Sequence, residues 1–325
     1  MIGLTRRHAM AGIALAAVAL APAQAQTYPD RPVTVVVPFP PGGPTDILAR
    51  FVAQRLAERL GQPFVVENRP GAMAMLGTDR VAKAAPDGYT LLLTPQSPIT
   101  IVEHFEQKPP YQPATDLLPV AQVATSAVFV LGAIDGPRDM RSFAEQARAQ
   151  PGKFFYGAPG LGNEMHLSWE LIRAGYKLDV DPVPYQGTNP AVLDLIAGRV
   201  HVVLTSPSSV KGQLAQGKLR ALATLTPKRL PDYPDVPTMA ESGLEGLVMP
   251  VAWLGLLAPA KTPPEVIAKL RRELAQWPTD PAYRQRLAEL GFELPVVTPE
   301  DFPASVARQR AQWGDLIRTQ KIRIQ

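Results

Sequence analysis

Short apolar runs alternate with longer stretches of helical spacing along this chain. Residues 33–37 form a β-branched run that reads as a buried strand. Gly42-Gly43-Pro44-Thr45-Asp46 follows, then a helical pattern as far as Leu60. Its apolar positions Ile47, Leu48, Phe51, Val52 and Leu56 share one face, and Gly61 ends it. A second strand is predicted over 64–66, a turn over 68–71, a helix over 76–85, a turn at Pro86-Asp87-Gly88 and a third strand over 90–94. Strand, helix and strand in this order predict a parallel sheet with right-handed crossovers.

The pattern then repeats. Strands are predicted over 128–131, 153–156, 180–183, 200–204 and 219–224. Helices are predicted over 142–149, 163–174, 190–197 and 208–215. A strand-like run at 251–257 precedes three helices, over 264–276, 281–290 and 300–318. These helices have no strands of their own to cover, so they are expected to return to the first unit. The expected layout is α/β, with residues 26–126 and 251–325 forming a discontinuous first domain and 127–250 a second. Two crossovers, near 127 and 250, suit a hinged clamshell.

The first 25 residues carry a basic start (Arg6, Arg7, His8), a run of small apolar residues over 11–21 and an Ala23-Gln24-Ala25 cleavage signature. This is the pattern of an export signal, and the run is too short for a membrane span of about 20 residues. Cleavage would leave the protein free in a periplasm. The formal charge of +4 would fall to +2 with loss of Arg6 and Arg7, too mild for a nucleic-acid partner. The chain has no cysteine, which removes disulfides, thiolate metal sites and cysteine nucleophiles.

In parallel α/β sheets, ligands sit beyond the carboxyl ends of the strands. The loop 38–46 places two glycines before a helix, whose unpaired amides and positive dipole end suit an anion. The same glycines also suit a plain tight turn. Asp46 is either a first-turn acid or a ligand contact. Arg69 either pairs with a carboxylate or ties its turn to a neighbouring loop. Gly160-Leu161-Gly162 lacks the third glycine of a dinucleotide fingerprint, because Met165 stands in its place. His166 reads as structural, and Ser208 as a cap. No nucleophile elbow, phosphate loop or zinc-protease motif occurs, and His104, His166 and His201 show no metal-ligand spacing. No catalytic residue, metal or cofactor is expected.

Several segments together resemble the substrate-binding proteins of tripartite tricarboxylate transporters, also called the Bug family. They include Tyr28-Pro29-Asp30-Arg31-Pro32, the run from Val35 through Pro38-Phe39-Pro40-Pro41-Gly42-Gly43-Pro44-Thr45-Asp46, and Val66-Glu67-Asn68-Arg69-Pro70-Gly71-Ala72. Ala85-Pro86-Asp87-Gly88-Tyr89, Val183-Pro184-Tyr185-Gln186-Gly187 and Leu256-Leu257-Ala258-Pro259-Ala260 continue the likeness. The resemblance implies a type II periplasmic-binding-protein fold. It also implies capture of a small carboxylate-bearing ligand, an organic acid, for delivery to membrane permease subunits. Two other readings are an extracytoplasmic sensor feeding a signalling kinase and an exported hydrolase. A monomer is the expected working unit.

By position, the resemblance implies a ligand site made of Phe39, Pro40, Pro41, Gly42, Gly43, Thr45 and Asp46 on one lip. Gln96 and Ser97 would form the floor. Gly160, Gly162, Asn163, His166, Tyr185, Gly187, Thr205 and Ser206 would form the other lip. Departures from the family pattern stand at four places. Met73 and Met75 occupy a stretch that is usually glycine-rich, which predicts a bulkier, more apolar wall. Asn163-Glu164 replaces a common Thr-Pro, His201 a common acid, and Thr205-Ser206 a common Asp-Asn. An acid at position 164 would repel a plain carboxylate, meet an amino group, point to solvent or form a contact between the lips.

Overall fold

The β-branched run Val33–Val37 becomes strand β1, and four of its five residues are buried. Such a run suits a central strand covered on both faces. The computed structural model describes residues 28–106, 108–245, 252–319 and 322. The expected export signal and the crossover expected near 250 lie outside them.

Two five-stranded sheets organise the protein. The first has the order β2-β1-β3-β10-β4, where β2 is Phe64–Asn68, β3 Thr90–Pro95, β4 Leu117–Thr125 and β10 Trp253–Pro259. The second has the order β7-β6-β8-β5-β9, where β5 is Phe129–Ala133, β6 Phe154–Ala158, β7 Val180–Pro184, β8 Val202–Thr205 and β9 Leu219–Thr224. Neither sheet is wholly parallel, which corrects the sequence expectation. β10 runs antiparallel between β3 and β4, and β5 runs antiparallel between β8 and β9. In both sheets the reversed strand is the first one laid down after the chain passes over from the other sheet. Strand β4 was not foreseen. Its sequence carries Pro119 and Gln122 among apolar residues, which breaks up the strand signal.

Among the described residues, eight longer helices cover the sheets. They are α1 (Pro44–Leu60), α2 (Met75–Ala82), α3 (Met140–Ala149), α4 (Glu164–Tyr176), α5 (Thr188–Ile196), α6 (Pro264–Leu274), α7 (Pro281–Glu289) and α8 (Phe302–Thr319). Helix α1 buries Leu48, Ala49, Val52, Ala53 and Leu56 against the first sheet. Ile47, placed on that face by spacing, is instead 42% exposed. Helix α6 lies on β4, and Arg271 donates to the carbonyls of Pro119 and Val120 at 2.9 and 3.1 Å. Helix α8 packs Phe302 edge-on against Trp253 of β10.

The segments passing between the sheets are tied together. The Ser126 amide donates to the Ala252 carbonyl at 2.8 Å, and the Leu225 amide to the Val128 carbonyl at 2.9 Å. Thr125 and Glu293 exchange two main-chain bonds, of 2.8 and 2.9 Å. The loops at the carboxyl ends of both sheets' strands are thereby held near one another.

Candidate functional site

The turn between β1 and α1 is built around one buried carboxylate. Gly42 has φ of +79°, a left-handed conformation that glycine adopts without strain. Its amide donates to Asp46 Oδ2 at 2.9 Å. Arg50 Nε donates to the same oxygen at 3.0 Å, and Asn68 Nδ2 donates to Oδ1 at 2.8 Å. Asn68 Nδ2 also reaches the Phe39 carbonyl at 3.1 Å. Burial pushes the Asp46 carboxyl up, but the bonds from Arg50, Gly42 and Asn68 outweigh it and hold the pKa below its ordinary value. Asp46 is 2% exposed, and both its oxygens are occupied by the protein.

With Asp46 turned inward, Pro40, Pro41 and Gly42 form the exposed outer edge, while Phe39, Gly43 and Thr45 are half-buried. Gly43 stands at the N-cap of helix α1 and has no side chain to cap it. The amides of Gly43, Thr45 and Asp46 find no protein acceptor. Such amides, with the positive end of a 17-residue helix behind them, suit an anion.

The next loop, after β2, is tied down locally. Arg69 pairs with Glu67, and the Arg69 amide donates to the Val37 carbonyl at 2.8 Å. Ala72, Met73 and Ala74 follow with φ of 45°, 52° and 71°. Three non-glycine residues in succession therefore hold the left-handed conformation, in the stretch where the resemblance places glycines. Met73 is 49% exposed, whereas Met75 is buried in a core cluster with Val36 and Leu92. Met75 is thus core and not pocket wall.

Past β3, Gln96 is buried and begins a single helical turn, Ser97–Thr100. Ser97 Oγ donates to the Glu164 carboxylate at the start of α4, which joins the carboxyl ends of the two sheets. Of the roles open to Glu164, the contact between the lips is the one present. The N-terminus of α4 differs from that of α1, because the Asn163 side chain accepts from the amides of Met165 and His166 at 3.1 and 3.0 Å. This helix end is already capped.

His166 Nδ1 accepts from the Gly162 amide at 3.0 Å, and the ring is 6% exposed. Burial, aided by the positive Arg173, lowers its pKa to about 4. His166 therefore fixes the Gly160–Asn163 turn as a neutral acceptor. His201 acts similarly on β6, where Nδ1 accepts from the Phe155 amide at 3.2 Å while the ring lies against Phe154. Tyr185 donates its hydroxyl to Asp194 at 2.8 Å, and its pKa is pushed up to about 12 by burial and by that bond. Gly187 leads into α5 with no side-chain cap. Thr205 and Ser206 are buried, with Thr205 facing the Thr188 hydroxyl at 3.5 Å and Ser206 bonded to the hydroxyls of Ser208 and Ser209.

Two cavities open where the sheets meet. The smaller, about 360 Å³, lies between Gly42, Pro44 and Ile47 on one side and Ser208, Ser209 and Gly291 on others. The larger, about 560 Å³, is walled by Gln96, Glu164, Met165, Val128, Leu225 and Leu294 among others. Of the residues the resemblance assigned to the ligand, Gly42 lines the first and Gln96 the second. The others line neither of these two cavities. Leu225 and Leu294 were not singled out from sequence. They lie in irregular connections, where neither periodicity nor composition marks a wall.

The described fold and these loops have known counterparts. Residues 48–322 match the family described as "Tripartite tricarboxylate transporter family receptor". Protein BugT of Bordetella pertussis is 38% identical over 279 residues, covering 84% of each chain. Among solved structures, R. palustris Rpa4515 with adipate has 34% identity and a TM-score of 0.82, over 91% of this chain and 99% of that one. MatC from Rhodopseudomonas palustris with bound malate has 34% identity and a TM-score of 0.76, over 89% of this chain and all of that one.

Proposed function

The chain belongs to the tripartite tricarboxylate transporter receptor family, and on that premise we propose that it is a periplasmic receptor for a small carboxylate-bearing solute. The observation that carries this reading is the open N-terminus of α1, where three amides without acceptors follow a turn stiffened by Asp46. Two relatives of the same fold are seen with adipate and with malate, both carboxylates. The solute's carboxylate would lie against Gly42, Gly43 and Thr45, with Pro40 and Pro41 as its rim. Gln96 and Ser97 would face it from the floor, and Gly160–His166, Tyr185–Gly187 and Thr205-Ser206 from the opposite lip.

The family consists of solute-binding receptors, and binding without turnover is the expected behaviour. We further assign residues 26–126 and 251–325 to one lobe and 127–250 to the other. Residues 125–128, with Leu225 and Ala252 bonded to them, would be the hinge about which the lobes close. Residues 1–25 would direct export and be cleaved off in its course, and permease subunits in the membrane would take the solute from the closed form. A thermal-shift and calorimetric screen of the purified protein against mono-, di- and tricarboxylates tests the reading. A ligand at a hundred times its Kd adds about 2.7 kcal/mol, enough to raise Tm by a few degrees. No shift with any organic acid would remove the proposal.

A further inference from the structure

The larger junction cavity lies beside the residues that join the lobes. Thr125, Ser126, Val128, Leu225 and Ala252 all line it, and the N-terminus of α1 does not. Most of its wall is apolar, including Met165, Leu230 and Leu294, and about 560 Å³ admits a ring or a short chain. Two polar side chains on α4 interrupt that wall. Glu164 and Ser168 stand four residues apart, one turn above the other on the same helix face. Glu164 Oε2 accepts from Ser97, and Oε1 has no partner among the described residues. The hydroxyl of Ser168, a residue only 8% exposed, has none either, and it is not sealed off as the Gln96 amide is.

The charges on the wall leave a negative one unmatched. Arg229 is taken by Glu241, with its Nε at 2.9 and 3.1 Å from the two carboxylate oxygens, and by the Pro234 carbonyl at 2.8 Å. Lys228 is exposed and makes no ion pair among the described residues. It offsets only one of the two remaining acids, Glu164 and Glu293. Partial burial and then Asp232 push the Glu293 carboxyl up, as happens to an acid with no cation at hand. An anion in this cavity would meet both acids. A wholly apolar molecule would strand Glu164 Oε1 and the Ser168 hydroxyl. An ammonium group has three donors, no acceptor and the matching sign.

We propose that this cavity is a second binding site, separate from the carboxylate site at α1, and that it takes an amphipathic amine. The ammonium group lies between Glu164 and Ser168, and the apolar body lies against Val128, Met165, Leu225 and Leu294. Titration calorimetry on the purified protein at neutral pH tests this, with 2-phenylethylamine and 2-phenylethanol as probes. The two share one apolar body and differ in the charged group. The amine is expected to bind at least about tenfold more tightly than the alcohol. Glu164→Gln, which keeps an oxygen to accept from Ser97, should remove that advantage. Ser168→Ala should weaken the amine by about threefold. Gly43→Asp, at the other site, should leave the amine's affinity as it is. Thermal unfolding checks that each variant is folded, and the wild-type preference for amine over alcohol decides the matter if one is not. Equal affinities for the two probes, or no binding by the amine, overturn the assignment. So does an amine affinity that changes in Gly43→Asp, because the amine would then sit at α1. None of these results touches carboxylate capture, which the screen of organic acids tests by itself.

Discussion

Asp46 in the first turn of α1 and Asn68 at the end of β2 are joined by a 2.8 Å hydrogen bond from the Asn68 side-chain amide to Asp46 Oδ1. The bond ties the turn after β1 to the end of β2. Replacing Asp46 with Ala leaves the Gly42 amide, Arg50 and Asn68 without their shared acceptor. Hydrogen bonds to charged groups are worth about 1.5–3 kcal/mol each in net terms, and stranding several partners at once should cost about 2–4 kcal/mol. Urea unfolding should show that loss, with a smaller one for Asp46→Asn, which keeps one acceptor oxygen. Ligand binding should weaken in both variants, because the turn loses its support.

Gly43 offers a cleaner separation of binding from stability. Its φ of −78° suits any residue, and an added Cβ would meet only the Pro40 carbonyl, at an ordinary 3.6 Å. An aspartate here can cap α1, occupying the open amides and adding a negative charge beside them. Gly43→Asp should hold Tm or raise it slightly, because Gly and Asp caps differ by only a few tenths of a kcal/mol. Carboxylate affinity should fall by tenfold or more. Calorimetry and thermal unfolding on the same sample check both halves. Unchanged affinity would place the anion elsewhere.

His166 gives stability a defined pH window. The unfolded ring takes a proton at its ordinary pKa of 6.5, while the folded ring, held down by burial and then by Arg173, resists until about 4. Its contribution is complete above pH 6.5 and is lost as the pH falls from 6.5 to 4. The size is about 3 kcal/mol. His201, also lowered by burial, acts in the same direction. The stability of the wild type should therefore fall across this window, and His166→Gln should flatten the fall. Chemical denaturation at a series of pH values measures it. A slope confined to below pH 4 would assign the effect to carboxylates such as Asp46.

Gly291 and Ser208 set how closely the two halves approach. A Cβ added to Gly291 would overlap the Ser208 side chain, and Gly291 also has φ of +77°. Gly291→Ala should push the lobes apart, with a larger radius of gyration in solution scattering and weaker ligand binding. Adding Ser208→Gly should restore part of the closure. It would not restore the stability lost to backbone strain, about 1–2 kcal/mol.

The alternation of strand and helix was plain in the sequence, because β-branched runs such as 33–37 and glycine stops such as Gly61 act locally. Strand direction was not. Nothing in the composition of Trp253–Pro259 says that it enters the first sheet reversed, since direction depends on where the chain arrives from. The candidate site divides in the same way. The Pro-Pro-Gly-Gly turn and its open helix end follow from residue type. Asp46, Asn163 and Glu164 could be named but not assigned, because their partners at positions 42 and 68, 165 and 166, and 97 are fixed by folding.

The reversed placement of β10 has a consequence for biogenesis. The second sheet is encoded without interruption between residues 129 and 224, but the first waits for a strand more than a hundred residues downstream of β4. Until residues 253–259 arrive, the facing edges of β3 and β4 have no strand between them. A chain emerging N-terminus first thus completes its middle before its beginning, and any chaperone that escorts it has those two edges to shield.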